Sequence, residues 1–200
     1  MKKNTIPLSD NIITYLTQLY GEDWVKQYSS YTGFAPIEYI RYNSEKTEKT
    51  VLIENLKTGY GIELAEVDGI PYALRVERDE NRNLGKTIEH ITGNYYIQSL
   101  SSMLPPLVLD PLPTDRVLDL CAAPGSKTTM LAQMMQNKGS LVANEIQHNR
   151  VGILTFNIER MSAFNTAILK MPGEQIASFY PEYFDKILVD APCRDRKSVV

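Results

Sequence analysis

The sequence is poor in the residues that build metal sites and disulfide frameworks. Its 200 residues include two cysteines, Cys121 and Cys193, and two histidines, His90 and His148. These four residues are scattered and show none of the spacings typical of metal-ligand motifs. Two cysteines in a chain of this length do not make a disulfide scaffold, which indicates a reducing compartment. We therefore expect neither a bound metal nor a structural disulfide.

Long apolar runs are also missing. No stretch approaches the roughly 20 apolar residues of a membrane-spanning helix. Lys2 and Lys3 imitate the start of a signal peptide, but Ser9 and Asp10 interrupt the apolar segment that should follow. The formal net charge of −3 is not the overall basic charge typical of a nucleic-acid-binding protein. The sequence predicts a cytoplasmic, monomeric protein without membrane association.

The first half of the chain has the mixed pattern of a small α+β domain, which we assign to residues 1–100. Helical spacing of apolar residues predicts a helix over 10–28, and "EYIRYN" predicts a strand over 38–43. Two further strands are predicted around the turn at 69–71. Residues 101–115 contain four prolines and are predicted to be a connector.

From Arg116 onward, apolar strands alternate with helical patterns. Few positions within these strands are polar, which is typical of a parallel sheet covered by helices on both faces. The sequence therefore predicts that residues 116–200 form an incomplete Rossmann-like α/β domain. Strands are predicted over 116–122, 140–145, 165–170 and 186–191, and helices over 127–139, 149–161 and 174–180.

The turn "CAAPGSK" at 121–127 follows the first of these strands, at the edge of the sheet where ligands bind in open α/β folds. Its small residues allow a ligand to approach the backbone, and the free amides of the next helix favour an anion. The turn lacks the GxxxxGK[ST] motif of a triphosphate site and the GxGxxG motif of a dinucleotide site. S-adenosylmethionine remains as the third candidate, because its carboxylate suits the helix start and it carries no phosphate.

An acidic residue at the end of the second strand supports the third candidate. Glu145 closes "SLVANE" and lies 20 positions after Gly125, since 145 − 125 = 20. An acidic residue at about this distance binds ribose hydroxyls in nucleotide-binding folds. The alternative is that Glu145 is a solvated strand end or a helix cap.

Four segments together resemble one enzyme family. "VLDLCAAPGSKTT", "VANE" followed by Arg150, "NIERM" and "FDKILVDAPC" are similar to motifs of the Sun (Fmu/Nol/Nop) family of RNA cytosine-C5 methyltransferases. The resemblance covers about residues 35–193. It implies S-adenosylmethionine as the cofactor, rRNA or tRNA as the partner, 5-methylcytosine as the product, and an RNA-contacting role for the N-terminal domain.

The resemblance also implies roles for individual residues. Glu145 binds the cofactor's ribose and Arg150 approaches the cofactor. Asp190 lies beside both the methyl donor and the target cytosine, and is therefore assigned a catalytic and a cofactor-binding role. The adenine-contacting acid of the family falls at Pro172, with Glu174 as a weak substitute. The methionine end of the cofactor is lined by Cys121, Ala122, Ala123, Pro124, Gly125, Ser126 and Lys127.

A cysteine can take part in the methylation of cytosine, which bears on the role of Cys193. A thiolate that adds to carbon 6 of cytosine makes carbon 5 nucleophilic. In enzymes similar to this one the nucleophile lies in a later "TC" motif, and the "DAPC" cysteine helps the covalent adduct break down. The resemblance therefore implies the helper role for Cys193, and the chain is expected to be a fragment without the nucleophile. Cys121 is expected to pack in its turn and not to react.

Other interpretations stay open at this point. The chain could be a non-catalytic RNA- or cofactor-binding remnant, or a methyltransferase that acts on a non-RNA substrate. Tyr95 and Tyr96 are predicted to pack in a core, with base stacking as the alternative. Four basic residues are predicted to be solvated, with phosphate contact as the alternative: Arg41, Arg75, Arg82 and Lys86. The apolar strand over 186–191 is predicted to lie at an uncovered sheet edge.

Overall fold

The computed structural model describes residues 9–31 and 37–191, so Cys193 lies outside the described residues. Contacts divide the chain into two compact units, 1–37 and 38–200. The first unit contains helices α1 (Asp10–Tyr20) and α2 (Glu22–Tyr31). The prediction of one continuous helix over 10–28 was wrong, because Gly21 separates the two helices with a φ of 85°, a backbone conformation that favours glycine.

The second unit begins with a four-stranded antiparallel sheet of order β2-β3-β1-β4. The strands predicted around 38–43 and 69–71 are present. Helix α3 was not predicted, because its first turn continues a run of polar residues. Its Leu52 and Leu56 pack on Ile40 and Leu74 of the sheet. The elements are β1 (Tyr39–Tyr42), α3 (Lys49–Tyr60), β2 (Glu63–Glu66), β3 (Ala73–Arg78), α4 (Ile88–Ile91) and β4 (Tyr95–Ile97).

Helix α5 (Leu100–Leu109) replaces most of the predicted proline-rich connector. Pro105 and Pro106 lie inside this helix although each lacks the N–H group that a helix interior uses. Met103 is fully buried and packs in one cluster with Met130. Tertiary packing thus outweighs the local preference of the two prolines. The division into functional domains at 100 and 115 stays a prediction.

Residues 116–188 form the predicted alternation of strands and helices. The four strands are parallel in the order β7-β6-β5-β8, so β5 is central and β8 lies at an edge. Ile187 and Val189 are about half exposed at that edge. The elements are β5 (Arg116–Asp119), α6 (Ser126–Met134), β6 (Ser140–Asn144), α7 (His148–Arg160), β7 (Thr166–Leu169), α8 (Gly173–Phe179) and β8 (Lys186–Leu188).

The core of the parallel sheet fixes β5 and the start of α6. Val117 and Leu141 from the strands and Leu131 and Leu154 from the helices are fully buried in one cluster. Burial of each such side chain contributes roughly 1.5–3 kcal/mol. Over 9–31 and 37–191, every helix falls short of the length and hydropathy that a bilayer-crossing segment needs.

Candidate functional site

The turn between β5 and α6 is held from two sides. The amide of Ala122 donates to the carbonyl of Asn144 at 2.8 Å, and Asn157 Nδ2 donates to the carbonyl of Pro124 at 2.9 Å. The peptide bond between Ala123 and Pro124 is cis. Gly125 has a φ of +105°, and a Cβ there would lie 3.2 Å from Leu154 Cδ1. The backbone conformation therefore favours glycine, and the approach of α7 leaves little space for a Cβ.

A buried carboxyl group connects the end of β5 to the first turn of α6. Thr128 Oγ1 donates to Asp119 Oδ2 at 2.7 Å, and the backbone of Cys121 also acts on this buried carboxyl group. Burial raises the pKa of Asp119 to about 6, against the opposing effect of the Thr128 hydrogen bond. This hydrogen bond links the last residue of β5 to the first turn of α6.

Glu145 follows β6 and is 4% exposed. Its Oε1 accepts a hydrogen bond from the amide of Gln147 at 2.9 Å, and its Oε2 lies 3.2 Å from Arg150 Nη1. Arg150 Nη2 also donates to the carbonyl of Ala123. One arginine therefore links the carboxylate to the turn at 121–127. A carboxylate has about four acceptor positions, so Glu145 keeps room for further donors.

A pocket of about 440 Å³ opens at the carboxyl ends of β5 and β6. Glu145 and Cys121 both line it, and Glu174 supplies a second acidic side chain. Burial raises the pKa of the Cys121 thiol, so that thiol is neutral near pH 7 and is a poor nucleophile. The acceptor oxygens of Glu145 fit a ligand that offers hydroxyl groups as hydrogen-bond donors. The lining residues are Leu120, Cys121, Asn144, Glu145, Ile146, Gln147, Arg150, Gly173 and Glu174.

Lys127 and Asp190 form an ion pair across the carboxyl edge of the sheet. Lys127 Nζ lies 2.7 Å from Asp190 Oδ2, and the side chains are 16% and 57% exposed. Lys127 stands in the first turn of α6, where a cation is unfavourable without a counter-charge. Asp190 follows β8 and provides that charge, so the pair connects two residues that the sequence predicted only separately.

The structure thus brings most of the predicted site residues together. Cys121, Glu145 and Arg150 line one pocket, and Lys127 pairs with Asp190. Within the turn, Ala122, Ala123 and Gly125 are buried, Ser126 is half-buried and Pro124 is exposed. Pro172 does not line the pocket and instead precedes α8 as its N-cap.

The expectation that Arg41 is solvated was wrong. Arg41 is fully buried and donates to the carbonyl of Ser126 and the hydroxyl of Thr129. The core packing predicted for Tyr95 is confirmed, since that residue is fully buried. Arg75 is exposed and pairs with Glu77.

Three supporting side chains were missed as site residues. Asn144 Nδ2 donates to the carbonyls of Leu120 and Met171, and its Oδ1 accepts from the amide of Met171. Asn157 and Thr128 support the turn as described above. Asn144 and Asn157 lie in the quoted segments "VANE" and "NIERM". The sequence therefore pointed to these positions, but it did not show which backbone groups their side chains contact.

Comparison with known proteins gives the site its context. Residues 106–199 match the family model for the 16S rRNA methyltransferase RsmB/F. The chain is 40% identical over 171 residues to the ribosomal RNA small subunit methyltransferase F of Shewanella loihica, a match that covers 78% of this chain and 35% of that protein. It is 40% identical over 155 residues to the 26S rRNA (cytosine-C(5))-methyltransferase nsun-1 of Caenorhabditis elegans, covering 77% and 23% of the two chains.

A solved structure shares the fold. The methyltransferase homolog protein from Pyrococcus horikoshii superposes with a TM-score of 0.78 at 31% identity, over 93% of this chain and 64% of that one. The chain spans about a third of the length of the small subunit methyltransferase F proteins that it matches. The predicted Rossmann-like fold is confirmed, and the matches agree with the predicted family. Residues 106–199, just under half of this chain, thus resemble the RsmB/F methyltransferases.

Proposed function

We propose that this chain carries the cofactor site of an enzyme that methylates carbon 5 of cytosine in rRNA or tRNA. The observation that carries the proposal is the buried Glu145 carboxylate, which opens on the pocket beside the turn at 121–127. The match to rRNA methyltransferases, one of them named for cytosine C5, supports the type of substrate.

Each part of the site has a task in this proposal. The free amides at the start of α6 receive the carboxylate of S-adenosylmethionine, as helix starts receive anions. Glu145 accepts hydrogen bonds from the ribose hydroxyls, and Arg150 holds Glu145 against the turn. Glu174 lies at the pocket wall and takes the place of the acid that contacts adenine. When bound, S-adenosylmethionine supplies an electrophilic methyl group.

The target base is placed at the other end of the site. Asp190 is exposed beyond β8, where Lys127 holds its carboxylate at the carboxyl edge of the sheet. We assign Asp190 to contact with the cytosine. Cys193, three positions later in the chain, is assigned to the breakdown of the covalent adduct. Residues 1–100 are assigned to RNA contact, and the protein is placed in the cytoplasm as a monomer.

Isothermal titration of S-adenosylmethionine into the 200-residue chain tests the cofactor site. We expect saturable binding that Glu145→Gln weakens by about tenfold or more, because the amide is uncharged and one of its two acceptor oxygens is lost. Glu54→Gln is the matched control, since Glu54 is exposed on α3. A folded wild-type chain without binding, or equal binding by Glu145→Gln, contradicts the assignment.

Bisulfite sequencing of rRNA and tRNA from source cells that lack the gene tests the substrate. We expect the loss of 5-methylcytosine at a defined position, restored by the intact gene and not by a gene with Asp190→Ala. Loss in tRNA alone would narrow the substrate to tRNA. An unchanged pattern in both RNA classes would contradict the proposal and favour a non-RNA substrate.

A further inference from the structure

Among the arginines within residues 9–31 and 37–191, Arg41 is the one that is fully buried. Arg41 belongs to β1 of the antiparallel sheet, yet its guanidinium reaches α6 of the parallel sheet. Nη1 donates to the carbonyl of Ser126 at 3.0 Å, and Nη2 donates to Thr129 Oγ1 at 2.8 Å. Both acceptors lie in the first turn of α6, the helix that begins directly after the cofactor turn.

Thr129 passes this contact on to the turn itself. Its hydroxyl accepts from Arg41 and donates to the carbonyl of Gly125 at 2.8 Å. Gly125 is the N-cap of α6. A chain of two hydrogen bonds therefore runs from the guanidinium of Arg41 to the residue at which the turn becomes helix.

The position of Arg41 is electrostatically unfavourable without a further partner. The groups that act on its charge are Tyr96, whose ring centroid lies 5.6 Å from Arg41 Cζ, and a second cation, Arg160. Burial lowers the pKa of Arg41 to about 9, so the group is still charged near pH 7. It also stands at the positive end of a helix dipole. An anion bound at the start of α6 would relieve this concentration of positive charge.

We propose that Arg41 is a positioning residue for the part of the cofactor site that binds the ligand's carboxylate. It fixes the carbonyls of the first turn of α6, so that the free amides of that turn keep their direction, and it adds positive potential there. The inference rests on the proposed cofactor function. It assigns to the antiparallel sheet a role in cofactor binding that is separate from any contact with RNA.

Two ligands separate positioning from general stability. S-adenosylhomocysteine carries the amino-acid carboxylate, whereas 5′-methylthioadenosine carries the same nucleoside without it. In calorimetric titrations of the 200-residue chain, we expect Arg41→Lys to lower the affinity for S-adenosylhomocysteine by about tenfold. This is the usual effect of losing a hydrogen bond at a charged group. The affinity for 5′-methylthioadenosine should stay within about twofold.

Two control variants keep the test specific. Gln133→Met removes a contact between the same helix and the same sheet, because Gln133 Nε2 donates to the carbonyl of Tyr42 and to Ser44 Oγ. Arg75→Lys changes an exposed arginine of the same sheet, which pairs with Glu77. Both should leave the ratio of the two affinities unchanged.

The outcomes are distinguishable. If Arg41→Lys lowers the affinities for both ligands equally, or lowers neither, the positioning role is overturned while the proposed function stands. A folded wild-type chain that binds neither ligand would contradict the proposed function itself. If Arg41→Lys does not fold, Thr129→Val removes the same hydroxyl link with nearly the same shape, and the same selective loss is expected of it.

Discussion

The two sheets of residues 38–191 bury polar groups for different purposes. In the antiparallel part, Arg41 of β1 and Asn43 just after it are buried. Arg41 donates to the carbonyl of Ser126 and Asn43 donates to the carbonyl of Met161, both in the parallel part. In the parallel sheet, Asp119, Asn144 and Glu145 are buried at the carboxyl edge and line or support the pocket. We call each sheet together with its helices a layer. Buried polar side chains of the antiparallel layer thus connect the two layers, whereas those of the parallel layer form the site.

Gly93→Ala should disrupt the contact between the two layers at Gly93 and Arg160. It should lower the free energy of unfolding more than the other substitutions below. Gly93 has a φ of +79°, and a Cβ there would lie 1.9 Å from the carbonyl oxygen of Arg160 at the end of α7. We expect the free energy of unfolding to fall by roughly 4 kcal/mol or more, from backbone strain and displacement of α7. Urea denaturation followed by circular dichroism measures this loss.

Gly59→Ala is the matched control for that substitution. Gly59 lies in α3, and a Cβ there meets nothing within 4 Å. The change should stabilise the protein by about 0.5–1 kcal/mol, the usual gain for alanine over glycine in a helix. A Gly93→Ala variant as stable as Gly59→Ala would show that Gly93 and Arg160 can move apart at little cost.

Leu56→Ala and Leu131→Ala compare the two cores directly. Each side chain is fully buried, the first in the antiparallel layer and the second in the parallel layer. Each substitution should cost about 2–5 kcal/mol. Because hydrogen bonds join the layers, we expect a single unfolding transition that both variants shift, measured by tyrosine fluorescence and circular dichroism together. Two separate transitions would show that the layers unfold independently.

Asp119→Asn should change how stability depends on pH. The pKa of Asp119 is about 6 in the folded protein against an ordinary value near 3.8. The protonated form therefore favours folding, and this contribution is present at low pH and is lost as the pH rises through 6. Between pH 4 and pH 7 the wild type should lose up to about 3 kcal/mol relative to Asp119→Asn. Parallel pH curves for the two proteins would contradict this.

Glu174→Gln should have the smallest effect of the four. Glu174 lines the pocket but is exposed to water, which weakens any hydrogen bond it makes. We expect its loss to weaken S-adenosylmethionine binding by about threefold in calorimetric titration, without a change in melting temperature. Unchanged affinity would show that the adenine contact is made elsewhere.

The sequence predicted the parallel layer better than the antiparallel one. Buried parallel strands read as short apolar runs, so β5 to β8 and the helices between them were found. Helix α3 begins in a polar run and α5 contains two prolines, and both form because of packing with residues distant in sequence. Local patterns carry no information about such contacts.

The same distinction applies to the site. The turn at 121–127 and Glu145 could be predicted because strand, turn and acid follow one another at a regular spacing. The burial of Arg41 could not, because it depends on Ser126 and Thr129, which lie more than 80 positions away. Neither could the ion pair of Lys127 with Asp190, which needs β8 to lie next to β5.

The strand order β7-β6-β5-β8 has a consequence for synthesis on the ribosome. The chain builds the sheet outward from β5 to β7 and must then cross back to add β8 on the other side of β5. The turn and Glu145 therefore emerge early, and local contacts can organise them first. Asp190 follows only after β7, α8 and β8. A nascent chain would thus acquire the pocket before it acquires the end of the site at which Asp190 pairs with Lys127.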